Sequence, residues 1–365
     1  MKKKLLKNTE WTVLIVSLLL LIIGLIALFS ATQSTNYGEF KKQIQWFLVS
    51  IPFLILAYFI DYNVIARFST VLYIIMMGLL VGVLFTEPIN GATSWYQIGE
   101  VAIQPSELAK VIVILFISFL INKLQLRGRK EINKIWKLFI ALLFMAIPIG
   151  LIIVQPDYGT AMAYIIAMLF ILYISGIDKK YIILASVLVL ILVPVVYHNL
   201  PEHALKRIEV FMNPESDPRG DGYNIIQSKL AIGAGQLLGM GFLQGNQTQL
   251  GFLYPKTTDF IFSVIGEELG FIATAAILVL YVVLVTKVIY IAKTAKDNIG
   301  SYIAIGIGGI FFFHMVENIG MTIGLLPITG VPLPFVSYGG SSLITNFICI
   351  GLLLNISGRR QKSYL

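Results

Sequence analysis

The sequence predicts an all-α polytopic membrane protein, and three observations support that prediction. Of the 365 residues, 57% are hydrophobic and only 13% are charged, which excludes a soluble globular domain. Apolar runs of about 20 residues, the length that crosses a bilayer as a helix, recur from one end of the chain to the other. The basic residues concentrate in every second connection between these runs, as in membrane proteins of fixed orientation.

Ten apolar runs predict about ten transmembrane helices in a single domain that covers residues 1–365. The first run follows several lysines, but it is too long for the core of a signal peptide, so it predicts a retained anchor. The ten predicted spans cover residues 11–31, 43–60, 68–86, 105–122, 136–154, 159–177, 181–197, 270–291, 301–323 and 338–357.

The positive charges predict that the N- and C-termini are both cytoplasmic, because connections rich in Lys and Arg stay inside. With this orientation, nineteen of the 27 basic residues fall on the cytoplasmic side, and the parity requires an even number of spans. The net charge of +8 is thereby explained by membrane topology, so we expect no nucleic-acid partner. One extracytoplasmic connection is long, residues 198–259 between spans 7 and 8.

Asp259 lies where this long connection runs into span 8, in the segment TDFIFSVIGEELG. A carboxylate at the mouth of an apolar helix loses hydration, so its position is a functional candidate. The structural alternative is a helix N-cap, since Thr257, Thr258 and Asp259 are all good N-cap residues. Glu267 and Glu268 follow in the same segment, either deeper in the membrane or in a re-entrant stretch.

Two shorter outer connections carry charged residues next to prolines. Glu107 and Lys110 are three residues apart at the start of span 4, so they share a helix face and can pair at membrane depth. Such a pair either fixes helix packing or lines a substrate cavity. Asp157, in the tight connection QPDYGT, either builds a turn or faces the same cavity.

Small and polar residues elsewhere favour packing over ligand binding. The predicted amphipathic helix Tyr223–Leu238 runs into closely spaced glycines, which favour close helix contact because no GxxxxGK pattern is present. His314 and Glu317 have a spacing that can share a metal, but without a second His nearby a packing and hydrogen-bond pair is favoured. Cys349 is the one cysteine, which excludes a disulfide framework.

Five segments, in chain order, carry a family resemblance: QPSELAK at 104–110, QPDYGT at 155–160, GDGYNIIQSKLAIGAGQLLGMG at 220–241, TDFIFSVIGEELG at 258–270 and PLPFVSYGGSS at 332–342. They resemble the signature segments of the SEDS family, the RodA, FtsW and SpoVE proteins of bacterial cell-wall synthesis. The resemblance extends over essentially all ten spans, and the short tail and compact N-terminus are most similar to the RodA branch.

The resemblance implies a peptidoglycan glycosyltransferase of the bacterial cytoplasmic membrane that polymerises lipid II during cell-wall elongation, with its active site facing outside. It implies a class B penicillin-binding protein, which is a transpeptidase, as partner, together with other membrane proteins of the elongation machinery. It places the essential acidic residue at Asp259 and cavity residues at Glu107, Lys110 and Asp157. Further candidates for substrate binding lie in or beside the matched segments: Arg219, Gln227, Lys256, Ser337 and Ser341.

The implied reaction needs a base and a stabilised leaving group. The 4-hydroxyl of an acceptor GlcNAc attacks C1 of a donor MurNAc and expels undecaprenyl pyrophosphate, with Asp259 as candidate general base. The pyrophosphate needs positive charge more than a proton. Lys110, Arg219 or a divalent cation such as Mg or Mn could supply that charge, with Asp157 or Asp259 as metal ligand.

Two other functions fit the same sequence. A lipid II flippase or other transporter would also have many spans, intramembrane charges and broken helices. A translocation path needs polar residues in both halves of the membrane, whereas the cytoplasmic halves of the spans are nearly uniform in Leu, Ile and Val. Glu267 and Glu268 are partial exceptions that keep this alternative open. A noncatalytic scaffold for the penicillin-binding protein is the third reading, and the intact segment around Asp259 argues against it.

Overall fold

The computed structural model describes residues 6–87, 93–99, 101–198, 202–217 and 220–360, and in this part of the chain the structure is mainly helical. An antiparallel hairpin, β1 (Tyr96–Ile98) and β2 (Val101–Ile103), supplies the strands among the described residues. The α-helices are α1 (Thr12–Ala31), α2 (Gly38–Phe59), α3 (Tyr62–Gly82), α4 (Pro105–Leu124), α5 (Ile135–Val154), α6 (Tyr158–Ser175), α7 (Lys179–His198), α8 (Glu202–Met212), α9 (Asp221–Ala234), α10 (Asn246–Gln249), α11 (Ile261–Thr294), α12 (Asn298–Thr322) and α13 (Gly340–Gly358).

The long helices pack as a bundle around α12 and α13, which are mostly buried. Helix α12 packs against α6 and α11, and α13 packs against α2. Small residues allow this close approach, since a Cβ on Gly309 of α12 would lie 2.9 Å from Ala167 Cα of α6. We call the end where α1 begins and α13 ends the terminal end, and the opposite end, where α4, α6, α11 and α13 begin, the site end.

All ten apolar runs of the sequence coincide with helices, α1 to α7 and α11 to α13. Within the described residues, eight helices are long and apolar enough to cross a membrane. The other two predicted spans are α7 and α4, and α4 carries the charged residues Glu107, Lys110 and Lys123. The class of all-α membrane protein is confirmed, and the number of ten spans stays a prediction.

Span 8 differs from its predicted start at residue 270, because the helix begins at Ile261 and is broken at Gly270. Gly270 has φ 74° and ψ −172°, a conformation that a residue with a Cβ rarely adopts. A Cβ there would also lie 2.3 Å from Gly239 N. The local sequence does not predict this break, because the reason for it is a tertiary contact with the segment 236–241.

The segment 236–241 takes over the hydrogen bonds that the break leaves open. Phe271 N donates to Gln236 O over 2.8 Å, and Met240 N donates to Glu267 O over 2.8 Å. Gly235 lies so close that a Cβ on it would be 1.8 Å from Gly266 O. The prediction of close packing is confirmed for Gly235, Gly239 and Gly245, whereas a Cβ on Gly233 would meet nothing within 4 Å.

Charged and amide side chains close the terminal end of the bundle. Glu10, before α1, pairs with Lys287 of α11 at 2.9 Å and with Arg360 after α13 at 3.3 Å. Asn355 of α13 donates its amide to Ala57 O over 2.8 Å and also to the carbonyl of Ile60. These contacts join the first and last long helices to α2 and α11.

Candidate functional site

Asp259 lies at the site end in the turn that precedes α11, and its side chain is half-buried. The residue in the N-cap position is Phe260, which makes no side-chain capping hydrogen bond. Asp259 therefore does not occupy the N-cap position that the structural alternative gave it. A Cβ on Gly330, which has φ 73°, would lie 3.7 Å from Asp259 Oδ2, so the connection between α12 and α13 passes directly beside the carboxylate.

The backbone on the N-terminal side of α11 is held by three donors on consecutive carbonyls. Tyr338 N donates to Thr257 O over 2.9 Å. Ser337 Oγ donates to Thr258 O over 2.7 Å. Asn318 Nδ2 donates to Asp259 O over 3.0 Å. We call these three hydrogen bonds the carbonyl clamp.

Glu107, Lys110 and His314 form a buried chain of contacts between α4 and α12. Lys110 Nζ lies 2.7 Å from Glu107 Oε1 and 3.1 Å from His314 Nε2. His314 Nδ1 lies 2.9 Å from Pro332 O, which can only accept, so Nδ1 carries the hydrogen and Nε2 accepts from the ammonium group. The predicted Glu107–Lys110 pair is confirmed, and Lys110 is 2% exposed.

Asp157 caps α6 and links it to α4. Its Oδ1 accepts from Thr160 N over 3.0 Å, and its Oδ2 accepts from Gln104 Nε2 over 2.8 Å. Burial raises the pKa of the Asp157 carboxyl, although the hydrogen bonds from Thr160 oppose that shift. The interpretation of Asp157 as a residue that builds the turn before α6 is therefore confirmed. Both of its carboxylate oxygens have protein donors.

The remaining candidates divide by what their side chains contact. Ser337 Oγ donates to Thr258 O and accepts from Leu333 N over 2.8 Å, so both contacts are to backbone. Ser341 Oγ accepts from Gln104 N over 3.3 Å. These two serines hold the connections around Asp259 together.

Two further candidates lie in the long connection. Lys256 is half-buried and donates to Thr248 O over 2.8 Å, and burial lowers the pKa of its ammonium group. Gln227 is half-buried on α9, next to Ser228, whose Oγ lies 2.6 Å from Ser263 Oγ on α11. Arg219 lies outside the described residues.

His314 and Glu317 do not share a ligand position or a hydrogen bond with each other. Glu317 Oε1 accepts from Thr329 Oγ1 over 2.8 Å, while His314 contacts Lys110 and Pro332. The predicted mutual pair is thus replaced by three separate contacts to other elements, one of Glu317 and two of His314. Among the described residues, no group of three His, Cys, Asp or Glu side chains converges as a metal-binding set would.

The sequence reasoning missed two amide residues that hold the site. Asn318 and Gln43 are both fully buried. Gln43 Nε2 donates to Ser337 O over 3.1 Å, and its Oε1 accepts from Gly339 N over 3.2 Å. An amide in a predicted membrane span is a signal that could have found both residues, because such groups need partners in the apolar interior.

Fold and site together define a polytopic membrane protein with a polar site at one end of its helical bundle. The chain belongs to the FtsW, RodA and SpoVE family, described as cell cycle proteins, whose family model matches residues 10–362. The peptidoglycan glycosyltransferase MrdB of Escherichia coli (strain K12) is 37% identical over 97% of both chains. The stage V sporulation protein E of Bacillus subtilis (strain 168) is 36% identical and covers 96% of this chain and 97% of its own.

Solved structures show the same architecture. A chain from a study of how a peptidoglycan synthase complex coordinates polymerization and crosslinking matches with a TM-score of 0.82 at 25% identity, covering 96% of this chain and 97% of that one. The rod shape determining protein RodA of Thermus thermophilus matches with a TM-score of 0.72 at 24% identity, covering 97% and 98%. The second likeness shows the fold alone.

Proposed function

We propose that this chain is a peptidoglycan glycosyltransferase that polymerises lipid II, with Asp259 as the general base. The observation that carries the proposal is the placement of Asp259, whose carboxylate lies in a turn at the site end beside Gly330, with the turn backbone held by the carbonyl clamp. The curated name of the Escherichia coli relative, a peptidoglycan glycosyltransferase, supports the same activity.

The reaction follows from the chemistry of the two sugars. Asp259 accepts the proton of the acceptor GlcNAc 4-hydroxyl while that oxygen bonds to C1 of the donor MurNAc. The bond between C1 and the phosphate oxygen breaks, and undecaprenyl pyrophosphate leaves with the electron pair. A single displacement turns an α-linked donor into a β-linked product, so one base and a stabilised leaving group are sufficient.

Positive charge near the pyrophosphate is the second requirement, and Lys110, Arg219 or a divalent cation held by Asp157 or Asp259 could provide it. Of the two basic residues, Lys110 is the one among the described residues. Its ammonium group is held between Glu107 and His314 at the site end, so its position is fixed before substrate binds. A preorganised charge in a water-poor site stabilises a developing anion more than a mobile one would. Asp157, which accepts from Gln104, then lies on the same side of the site, as a further substrate contact.

We further propose that the protein works in the bacterial cytoplasmic membrane, with its site end outside, beside a class B penicillin-binding protein in cell-wall elongation. The similarity to a chain of a peptidoglycan synthase complex supports such an assembly. An outward-facing site suits this substrate, because the sugars of lipid II are polymerised outside while its tail stays in the bilayer. The assignment to elongation rather than division rests on the RodA-like features of the sequence.

The rival function is a lipid II transporter, and the terminal end is where the two differ. A carrier must open a polar path at both ends of its bundle. Here the terminal end is crossed by contacts between distant helices, such as Glu10 with Lys287 and Tyr302 Oη with Gln125 Oε1 at 2.6 Å. These contacts close the terminal end in this conformation, and the nearly uniform Leu, Ile and Val content of the cytoplasmic halves of the spans favours a protein that works from the site end alone.

The test is polymerisation of labelled lipid II by the purified protein in complex with its penicillin-binding partner, whose transpeptidase is blocked. We expect glycan polymer from the wild type and a rate about 10² to 10⁴-fold lower from Asp259→Asn. A wild-type rate from the variant would remove Asp259 as the base. No polymer from the wild type, together with transfer of lipid II across vesicles, would replace the enzyme with a transporter.

A further inference from the structure

Three consecutive carbonyls before α11 point at donors that come from two other elements. The donors to Thr257 and Thr258 belong to Tyr338 and Ser337, in the connection that leads into α13. The donor to Asp259 belongs to Asn318, one turn before the end of α12. The net free energy that each hydrogen bond contributes is modest. Three such bonds on successive residues nevertheless leave this backbone few alternative orientations.

Asn318 is the member of the clamp that acts on Asp259 itself. Its side chain is fully buried, and Nδ2 donates both to Asp259 O and to Val331 O over 2.9 Å. Its Oδ1 is buried with no hydrogen-bond partner in the described structure. A buried amide with an unpaired oxygen is costly, so the two donated bonds are the polar contacts that justify an amide here.

The two acceptors of Asn318 are the carbonyl of Asp259 itself and the carbonyl of Val331. Val331 directly follows Gly330, and Gly330 is the residue whose Cβ would lie 3.7 Å from Asp259 Oδ2. One amide group therefore fixes the distance between the Asp259 backbone and the segment Gly330–Val331, which passes the Asp259 side chain. Gln43 on α2 holds the same connection, because its amide donates to Ser337 O and accepts from Gly339 N.

We propose that Asn318 is a positioning residue that sets where the Asp259 carboxylate points. This inference rests on the proposed function of Asp259 as the base. Removing the amide donors leaves substrate contacts in place but lets the turn at 257–259 shift. A misplacement of about 1 Å in a reacting group lowers turnover by about 10²-fold.

The chain offers a matched control at the terminal end. Asn355 is also fully buried, and its Nδ2 also donates to two backbone carbonyls, those of Ala57 and Ile60. Asn318→Leu and Asn355→Leu are both nearly isosteric, and each deletes one amide donor group that serves two carbonyls. Asn355→Leu also removes Oδ1, which accepts from Arg359 Nε over 2.7 Å, so it is the more severe change to stability. Asn318→Ser retains one hydroxyl donor in a smaller side chain and provides a second variant of the clamp.

The experiment compares the three variants with wild type in the full complex by two readouts. The first is kcat and KM for polymerisation of labelled lipid II. The second is amide hydrogen exchange of the peptide covering residues 255–262, which does not depend on activity. Thermal unfolding of each variant shows whether the protein is folded at the temperature of the polymerisation assay.

We expect Asn318→Leu to lower kcat about 10²-fold with KM within about twofold, and to accelerate exchange at 255–262. Asn318→Ser should fall between it and wild type, while Asn355→Leu lowers thermal stability but leaves kcat and that exchange unchanged. Equal kcat for Asn318→Leu and Asn355→Leu would overturn the positioning role, as would unchanged exchange in both Asn318 variants. A wild type without polymerase activity would instead overturn the proposed function, with the exchange comparison still deciding whether the clamp exists.

Discussion

The two ends of the bundle use similar side chains in different ways. At the terminal end, Glu10 and Lys287 pair across helices with the Lys287 side chain 38% exposed. At the site end, Lys110 is almost completely buried between Glu107 and His314. Partly exposed ion pairs add little free energy to folding, whereas a buried pair is costly to break. Burial, and not the type of residue, therefore marks the end where chemistry is expected.

Substitutions of aspartates at the two ends should give the largest difference in polymerisation rate. Asp61 caps α3 at the terminal end, where its Oδ1 accepts from Asn63 N over 2.9 Å, and it pairs with Arg359 at 3.2 Å. We predict that Asp259→Asn lowers polymerisation by about 10² to 10⁴-fold, as for loss of a general base. Asp61→Asn should retain wild-type turnover per folded protein. Equal losses in the two variants, measured with labelled lipid II, would erase the distinction between the ends.

Lysines at the two ends test how burial changes the contribution of an ion pair to the free energy of unfolding. Lys110→Met leaves the Glu107 carboxylate buried without its ammonium partner, so we predict a loss of about 3 to 5 kcal/mol in unfolding free energy. Lys287→Met should cost less than about 1 kcal/mol, because its pair with Glu10 is partly solvated. Thermal unfolding in detergent measures both. Partial recovery of stability in Glu107→Gln/Lys110→Met would show that the stranded charge is the cause.

Carboxylates outside the spans should show opposite pH dependence at the two ends. Hydrogen bonds from Lys137 and Lys134 lower the pKa of Glu131 at the terminal end to about 2, so its contribution is present at neutral pH and is lost as the pH falls towards 2. Burial raises the pKa of Asp157 above its ordinary value, so ionising it opposes folding as the pH rises through that raised pKa.

We therefore predict that Asp157→Asn is as stable as wild type or more stable at neutral pH, with an advantage that shrinks in acid. Glu131→Gln should be less stable than wild type at neutral pH, with a deficit that shrinks in acid. Unfolding temperatures across a pH series compare the two variants. Parallel pH slopes for both would contradict the assigned environments.

Serines give the smallest expected effects. Ser341 accepts one backbone N–H from Gln104 at the site end, and Ser357 accepts one from Glu10 over 3.1 Å at the terminal end. Each Ser→Ala change should cost about 1 kcal/mol of stability. Turnover should stay within about threefold of wild type in both. A tenfold loss confined to Ser341→Ala would reassign Ser341 from holding the connection to contacting substrate.

The sequence was sufficient for the helices and for the charged part of the site. Apolar runs longer than 16 residues leave few alternatives to membrane helices, and Glu107 and Lys110 share a helix face at any register. Asp157 was placed at the correct turn for the same local reason.

The remaining features depend on residues far apart in the chain. Gln43 lies 294 positions from Ser337, and Asn318 lies 59 positions from Asp259, so spacing gives no sign of either contact. The start of α11 was misplaced because the break at Gly270 is completed by the segment 236–241. Local pattern predicts an element, but it does not predict which other element satisfies its backbone.

The break at Gly270 also has a mechanical consequence. Phe271 to Thr294 is the longer part of α11, and membranes of different thickness impose different tilts on a helix that crosses them. The helical ladder is interrupted at Gly270, but the segment 236–241 bonds to Glu267 before the break and to Phe271 after it. A tilt of the longer part of α11 therefore reaches the turn that bears Asp259 through this segment as well as through the helix itself.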